Sequence, residues 1–172
     1  RFGSNTAQTK EECKYFPKNK TVLKDIIKQR VDEDPNCDLN DIWVGDITNM
    51  IHLFRESDFN GDISRWDVSN VRDMCYMFSG SKFDGDISDW DVGNVESMMG
   101  MFEDSAFNGD ISDWDVSNVR DMSYMFYDSK FDSDISRWNV GSVKNMRSMF
   151  GNSNFNGDIS DWDVSNVIDM NS

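Results

Sequence analysis

From residue 42 onward the apolar positions of the chain recur at a fixed interval of 24 residues. The blocks Trp66–Asp89, Trp90–Asp113, Trp114–Arg137 and Trp138–Asp161 align without insertion or deletion. Ile42–Arg65 is a worn first copy, and Trp162–Ser172 begins a sixth. Within a copy, Trp and the Val two places later alternate as a short strand would. The Val71, Met74 and Met77 columns then advance in steps of three, which predicts that strand gives way to a helical or 3₁₀ turn. Phe83 and Ile87, with their equivalents, lead back into the next copy. A constant period in the twenties predicts a solenoid, in which each copy buries its apolar face only against its neighbours. The expected body is therefore 42–172: five full repeats (42–65, 66–89, 90–113, 114–137, 138–161) and a partial one, 162–172.

Residues 1–41 follow a different rule. Val22, Leu23, Ile26, Ile27 and Val31 fall on one stripe of a helix, expected over about 21–33, with Thr21 as its N-cap and Pro35 as its stop. An amphipathic helix there would cover the open apolar end of the first repeat, so 1–41 reads as an N-terminal cap. Because Arg1 rather than Met opens the chain, we expect a processed or excised piece. The break inside a copy at Ser172 predicts that further chain or a partner covers the far end.

Charge narrows the functional classes. The net charge is −15. The cap is balanced, with eight basic and eight acidic groups, so the repeats carry the whole excess with nine basic and twenty-four acidic. Such a surface repels a phosphate backbone, which argues against nucleic acid as a partner. No apolar run is long enough to span a bilayer, so membrane insertion is not expected.

Several columns carry candidate chemistry. Trp66, Trp90, Trp114, Trp138 and Trp162 form an indole ladder that either packs or, half exposed, stacks sugar rings or an apolar partner. Asp62, Asp86, Asp110, Asp134 and Asp158 form a carboxylate ladder. Short polar side chains at a repeated corner usually close turns. The sharper alternative is a hard cation, calcium, that an oxygen-rich column would bind. No loop of the known calcium-binding kinds is present, however. Met at a core-facing period reads as adaptable filler. His52 is the single histidine, and its column continues as Tyr76, Gly100, Tyr124 and Ser148, so neither a histidine metal cluster nor a Ser-His-Asp site is expected. No phosphate-binding or dinucleotide motif appears, and the chain reads as non-enzymatic. Cys13 and Cys37 flank the cap helix; a disulfide between them would imply an oxidising compartment. Cys75 stands in a column otherwise filled by Ile51, Met99, Ser123 and Arg147 and reads as a free side chain.

Taken together, W-D-V-S-N-V-x-x-M-x-x-M-F-x-x-S-x-F-x-x-D-I-S resembles the roughly 25-residue repeats of bacterial surface proteins and mycoplasma lipoproteins, relatives of the BspA-like leucine-rich repeats. Phe16-Pro17, Leu23-Lys24 and Asp38–Asp41 are similar to the segment preceding the repeats in that family. The resemblance implies a leucine-rich-repeat-like solenoid, exported or on the cell surface, that serves adhesion or protein binding. It implies no shared catalytic residue. The expected function is macromolecular interaction through the solenoid surface, with exposed Trp or Tyr flanked by Asp as hot spots. The alternatives are a structural subunit permanently built into a larger assembly (a surface layer, a filament or the soluble side of a membrane-bound complex, the last in a lumenal or other non-cytosolic compartment) and a calcium-dependent carbohydrate binder.

Overall fold

The computed structural model describes residues 6–172. A 3₁₀ turn, Lys10–Glu12, precedes the only α-helix among the described residues, α1, Lys20–Glu33. Asn19, not Thr21, caps it: its side chain accepts the Val22 N–H at 3.0 Å. The helix ends two residues before Pro35, whose ring disfavours helical geometry in the residue preceding it. Leu23 and Ile27 are buried, and Ile26 and Val31 pack at the edge of the core, while Val22, part of the expected stripe, is exposed.

The cap docks by main-chain pairing as well as by apolar contact. Trp43 N–H donates to the Tyr15 carbonyl (2.8 Å), and Leu39 N–H donates to the Asp62 carbonyl (2.9 Å). Gln8 is buried at 3% exposure and meets all its polar demands. Its amide donates to the carbonyls of Asn40 and Ile42, each at 2.8 Å, and its oxygen accepts the Val44 N–H at 3.0 Å.

Beyond residue 41, each copy forms one coil bonded to the coils before and after it. Single parallel bridges run Asn49–Asp73–Ser97–Asp121–Asn145–Asp169. No strand forms at Trp-Asp-Val, which corrects the expected position of the strand. Turns bound that segment too closely: Trp66 N–H returns to the Ile63 carbonyl and Val71 N–H to the Val68 carbonyl. The expected helical turn is also absent. From Met50 to Ser57 the N–H groups alternate in direction. Met50, His52, Phe54 and Glu56 donate to the next coil, at Asp73, Cys75, Met77 and Ser79. Leu53, Arg55 and Ser57 donate three residues back. Later copies repeat this scheme, so the segment is a row of turns with two left-handed positions per coil. In the complete copies these are His52, Tyr76, Gly100, Tyr124 and Ser148, then Glu56, Gly80, Asp104, Asp128 and Asn152.

The interior is a set of side-chain ladders. Phe54, Phe78, Phe102, Phe126 and Phe150 stack at 5.5–5.8 Å between ring centres. The Phe59 column stacks at 5.8–6.3 Å. The Trp column stacks at 6.4–6.5 Å where its rings meet. Met74, Met98 and Met122, with Met77, Met101 and Met125, are fully buried among them.

Candidate functional site

The Trp column lies inside. Trp66, Trp90, Trp114, Trp138 and Trp162 are 2–8% exposed. Each indole N–H donates to a carbonyl of the coil before it: Leu39, Ile63, Ile87, Ile111 and Ile135, at 2.9–3.1 Å. A buried indole N–H needs such an acceptor, and packing between coils leaves the Trp66, Trp90, Trp114 and Trp138 rings no open face for a sugar, while Trp162 borders an apolar hollow at the end of the stack. This corrects the expectation of a stacking platform.

The carboxylate column closes turns. Asp62, Asp86, Asp110, Asp134 and Asp158 each accept the backbone N–H two residues on, from Ser64, Ser88, Ser112, Ser136 and Ser160, at 2.9–3.0 Å. The Asp67, Asp91, Asp115, Asn139 and Asp163 column does the same for Ser69, Gly93, Ser117, Gly141 and Ser165. Among the described residues no three His, Cys, Asp or Glu side chains converge as a metal ion would require.

These bonds set an acid response. Hydrogen bonds from the Ser117 hydroxyl and N–H hold the Asp115 carboxyl below its ordinary range, and Ser165 does the same for Asp163. The backbone N–H groups of Ser136 and Ser160, followed by their hydroxyls, lower Asp134 and Asp158. A carboxyl depressed in the folded state stabilises fully above its unfolded pKa, about 4, and loses that contribution as pH falls through the folded value. We expect these turns to leave the urea midpoint flat from about pH 7 to 5 and to lower it progressively below about pH 4. Measurement of the midpoint against pH checks this; a loss already present at pH 6 would refute it.

The cysteines are three free thiols. The expected Cys13–Cys37 bridge is absent: Cys13 is buried, with its thiol directed at the Thr9 carbonyl (3.4 Å), and Cys37 is half-buried at the edge of the core. Burial raises both thiols above their ordinary range. Cys75 is buried against the Ser97 hydroxyl (2.9 Å), and burial and Asp73 push it up to about 11.

With the repeated polar columns engaged in closing the frame, sequence variation falls elsewhere. Two columns hold five different residues in five copies: Ile51, Cys75, Met99, Ser123, Arg147, and Arg55, Ser79, Glu103, Tyr127, Gly151. Both lie in the row of turns, beside the varied columns of His52 and Glu56. Three of the four tyrosines, Tyr76, Tyr124 and Tyr127, sit there half-buried. Glycine gives them room. The Tyr76 ring occupies the space over Gly100, where a Cβ would lie 2.2 Å from it, and the Tyr127 ring does the same over Gly151 at 2.8 Å. His52 and Tyr76 rings are 5.6 Å apart, the Arg55 guanidinium lies 5.9 Å from the Tyr76 ring centre, and Tyr124 meets Tyr127 edge-on at 5.8 Å. Asn152 donates to the Tyr127 hydroxyl at 3.0 Å. The variation that marks this face was visible in the His52 and Cys75 columns; sequence reasoning weighed those columns only for chemistry and missed the surface they form.

A stack of near-identical coils with varied side chains along one edge is a repeat protein by construction. The chain belongs to the family described as "Mycoplasma protein of unknown function, DUF285", whose model matches residues 21–130 and 81–172. No curated protein and no solved structure matches it.

Proposed function

We propose that this chain is a non-enzymatic, leucine-rich-repeat-like solenoid that binds another protein through the row of turns. The observation that carries this reading is the contrast between fixed and varied positions. Main-chain bonds fix the backbone of the turns whatever side chains it bears, so side chains can differ from coil to coil without disturbing the frame. A rigid frame lowers the ordering cost of binding, and half-buried tyrosines are efficient anchors. Export to the cell surface, as an adhesin would require, is part of the proposal. It is supported by the likeness of the repeat motif to BspA-like surface proteins and mycoplasma lipoproteins, and draws nothing from the cysteines.

The test is a photo-crosslinking residue placed at Tyr127 and, in a second variant, at Asp91 on another corner of the coil, each expressed in source cells. A discrete crosslinked product from position 127 and not from 91 is expected. No product from 127, or equal products from both, overturns the reading.

A further inference from the structure

The row of turns has a chemical sign as well as a shape. From the first to the fourth repeat it forms an open groove of about 310 Å³ lined by Tyr127, Arg55, Glu56, Glu103, Asp104 and Asp128. Four carboxylates thus face one guanidinium, and that guanidinium is itself 3.7 Å from Glu56. Glu103 accepts from the Ser79 hydroxyl at 3.4 Å, and its charge reaches the neighbouring tyrosine: burial first, then Glu103, raises Tyr76. Asp104 and Asp128 are exposed, with Tyr127 half-buried beside them.

We infer that this groove receives a cationic, Lys- or Arg-bearing extended segment of a partner protein. This rests on the reading of the row of turns as the binding face and adds the chemistry of what binds there. Three observations agree on it. The Tyr127 ring in the groove is electron-rich, and an ammonium or guanidinium group is attracted to such a ring. The carboxylates come from the first, third and fourth coils, with only Ser79 and Gly80 from the second, so cations spaced along an extended segment can meet them in turn. The third is the precedent inside the molecule: Arg55 already sits over the Tyr76 ring beside Glu56, one cation held by an aromatic face and a carboxylate. Nucleic acid carries the wrong sign for such a groove.

The repeats supply a charge-matched test. Asn152 occupies the left-handed position equivalent to Asp104 and Asp128, so Asp→Asn there keeps a side chain that tolerates the backbone. Asn139 closes the same turn as Asp91, Asp115 and Asp163, its oxygen accepting the Gly141 N–H at 3.1 Å. The variant E103Q/D104N/D128N and the control D91N/D115N/D163N therefore each remove three negative charges and keep the frame. The probe is a fluorescein-labelled peptide of alternating Lys and Gly, titrated against the full chain by anisotropy at physiological salt. The groove variant is expected to weaken binding about tenfold and the control less than about twofold, since only contacted charges act strongly at that ionic strength. Equal weakening in both would mean diffuse attraction to an acidic surface and overturns the inference. Absence of binding to the parent chain overturns it as well. In either case a crosslink from Tyr127 would leave protein binding through this face intact, with a partner of different chemistry. A failure at Tyr127 would remove the face itself.

Discussion

Trp114→Ala is expected to lower the unfolding free energy by about 3–5 kcal/mol, and the melting temperature by roughly 10 °C. The indole is 4% exposed, stacks on Trp90 at 6.5 Å and leans on Phe102 at 6.4 Å. Its N–H fills the Ile87 carbonyl at 3.0 Å. Truncation opens a cavity in the middle of the stack and strands a buried acceptor, two penalties that compound. Trp114→Phe separates them. It keeps much of the ring packing and loses the donor, so about 1–2 kcal/mol is expected. Urea unfolding of the three proteins followed by circular dichroism measures both. A Trp114→Ala variant within about 1 kcal/mol of the parent would mean that the indole ladder does not hold the coils together.

Gly61→Ala is expected to cost about 3 kcal/mol, at the upper end of ordinary overpacking. A Cβ at Gly61 would lie 1.9 Å from the Cys37 carbonyl oxygen and 2.8 Å from the Asn36 carbonyl carbon. Both are backbone atoms of the segment joining α1 to the first coil, and no side-chain rotation can relieve the clash. That segment must retreat, breaking the bonds between Asp62 N–H and the Cys37 carbonyl (3.2 Å) and between Leu39 N–H and the Asp62 carbonyl (2.9 Å). The same column behaves differently inside the stack. Ser133 stands in the place of Gly109 and donates its hydroxyl to the Asn108 carbonyl at 2.8 Å. A Cβ at Gly109 meets the Phe107 ring at 2.8 Å but no backbone atom closer than 3.6 Å, so Gly109→Ser is expected to cost only about 1 kcal/mol. Hydrogen exchange should show amides of α1 and of 36–41 losing protection in Gly61→Ala alone. Equal stabilities for the Gly61 and Gly109 variants would rule out this account of the cap.

The repeat boundaries and the interior were legible because burial leaves a periodic trace: Val68, Met74, Met77 and Phe83, with their equivalents, announce themselves by spacing. The route of the backbone between them was not. Alternation at Trp66 and Val68 looks like a strand, and steps of three from Val71 to Met77 look like a helix. Neither period records the Asx turns at Asp67 and Asp73 that break the chain into corners. Nor does it record the left-handed backbone at Tyr76, Tyr124 and Asp128, which non-glycine residues adopt here only because bonds to the next coil impose it. The Trp column illustrates a second limit. Its repetition signals importance equally for packing and for binding, and only the depth of the ring and the carbonyl within reach of its N–H decide between them. Gln8, a single polar residue in a Lys-rich segment, gives no sign in the sequence that it closes three backbone groups where the cap meets the first repeat.

The ring ladders also show how neighbouring coils meet. Ring centres are 5.5–5.8 Å apart along the Phe54 column and 6.4–6.5 Å apart along the Trp column. Both exceed the roughly 4.8 Å between hydrogen-bonded neighbouring chains. Nearly parallel rings at such distances are slid past one another, the offset arrangement that aromatic pairs prefer to a face-to-face sandwich. Each added coil therefore brings further offset pairs, and the aromatic contribution to stability grows with the number of copies.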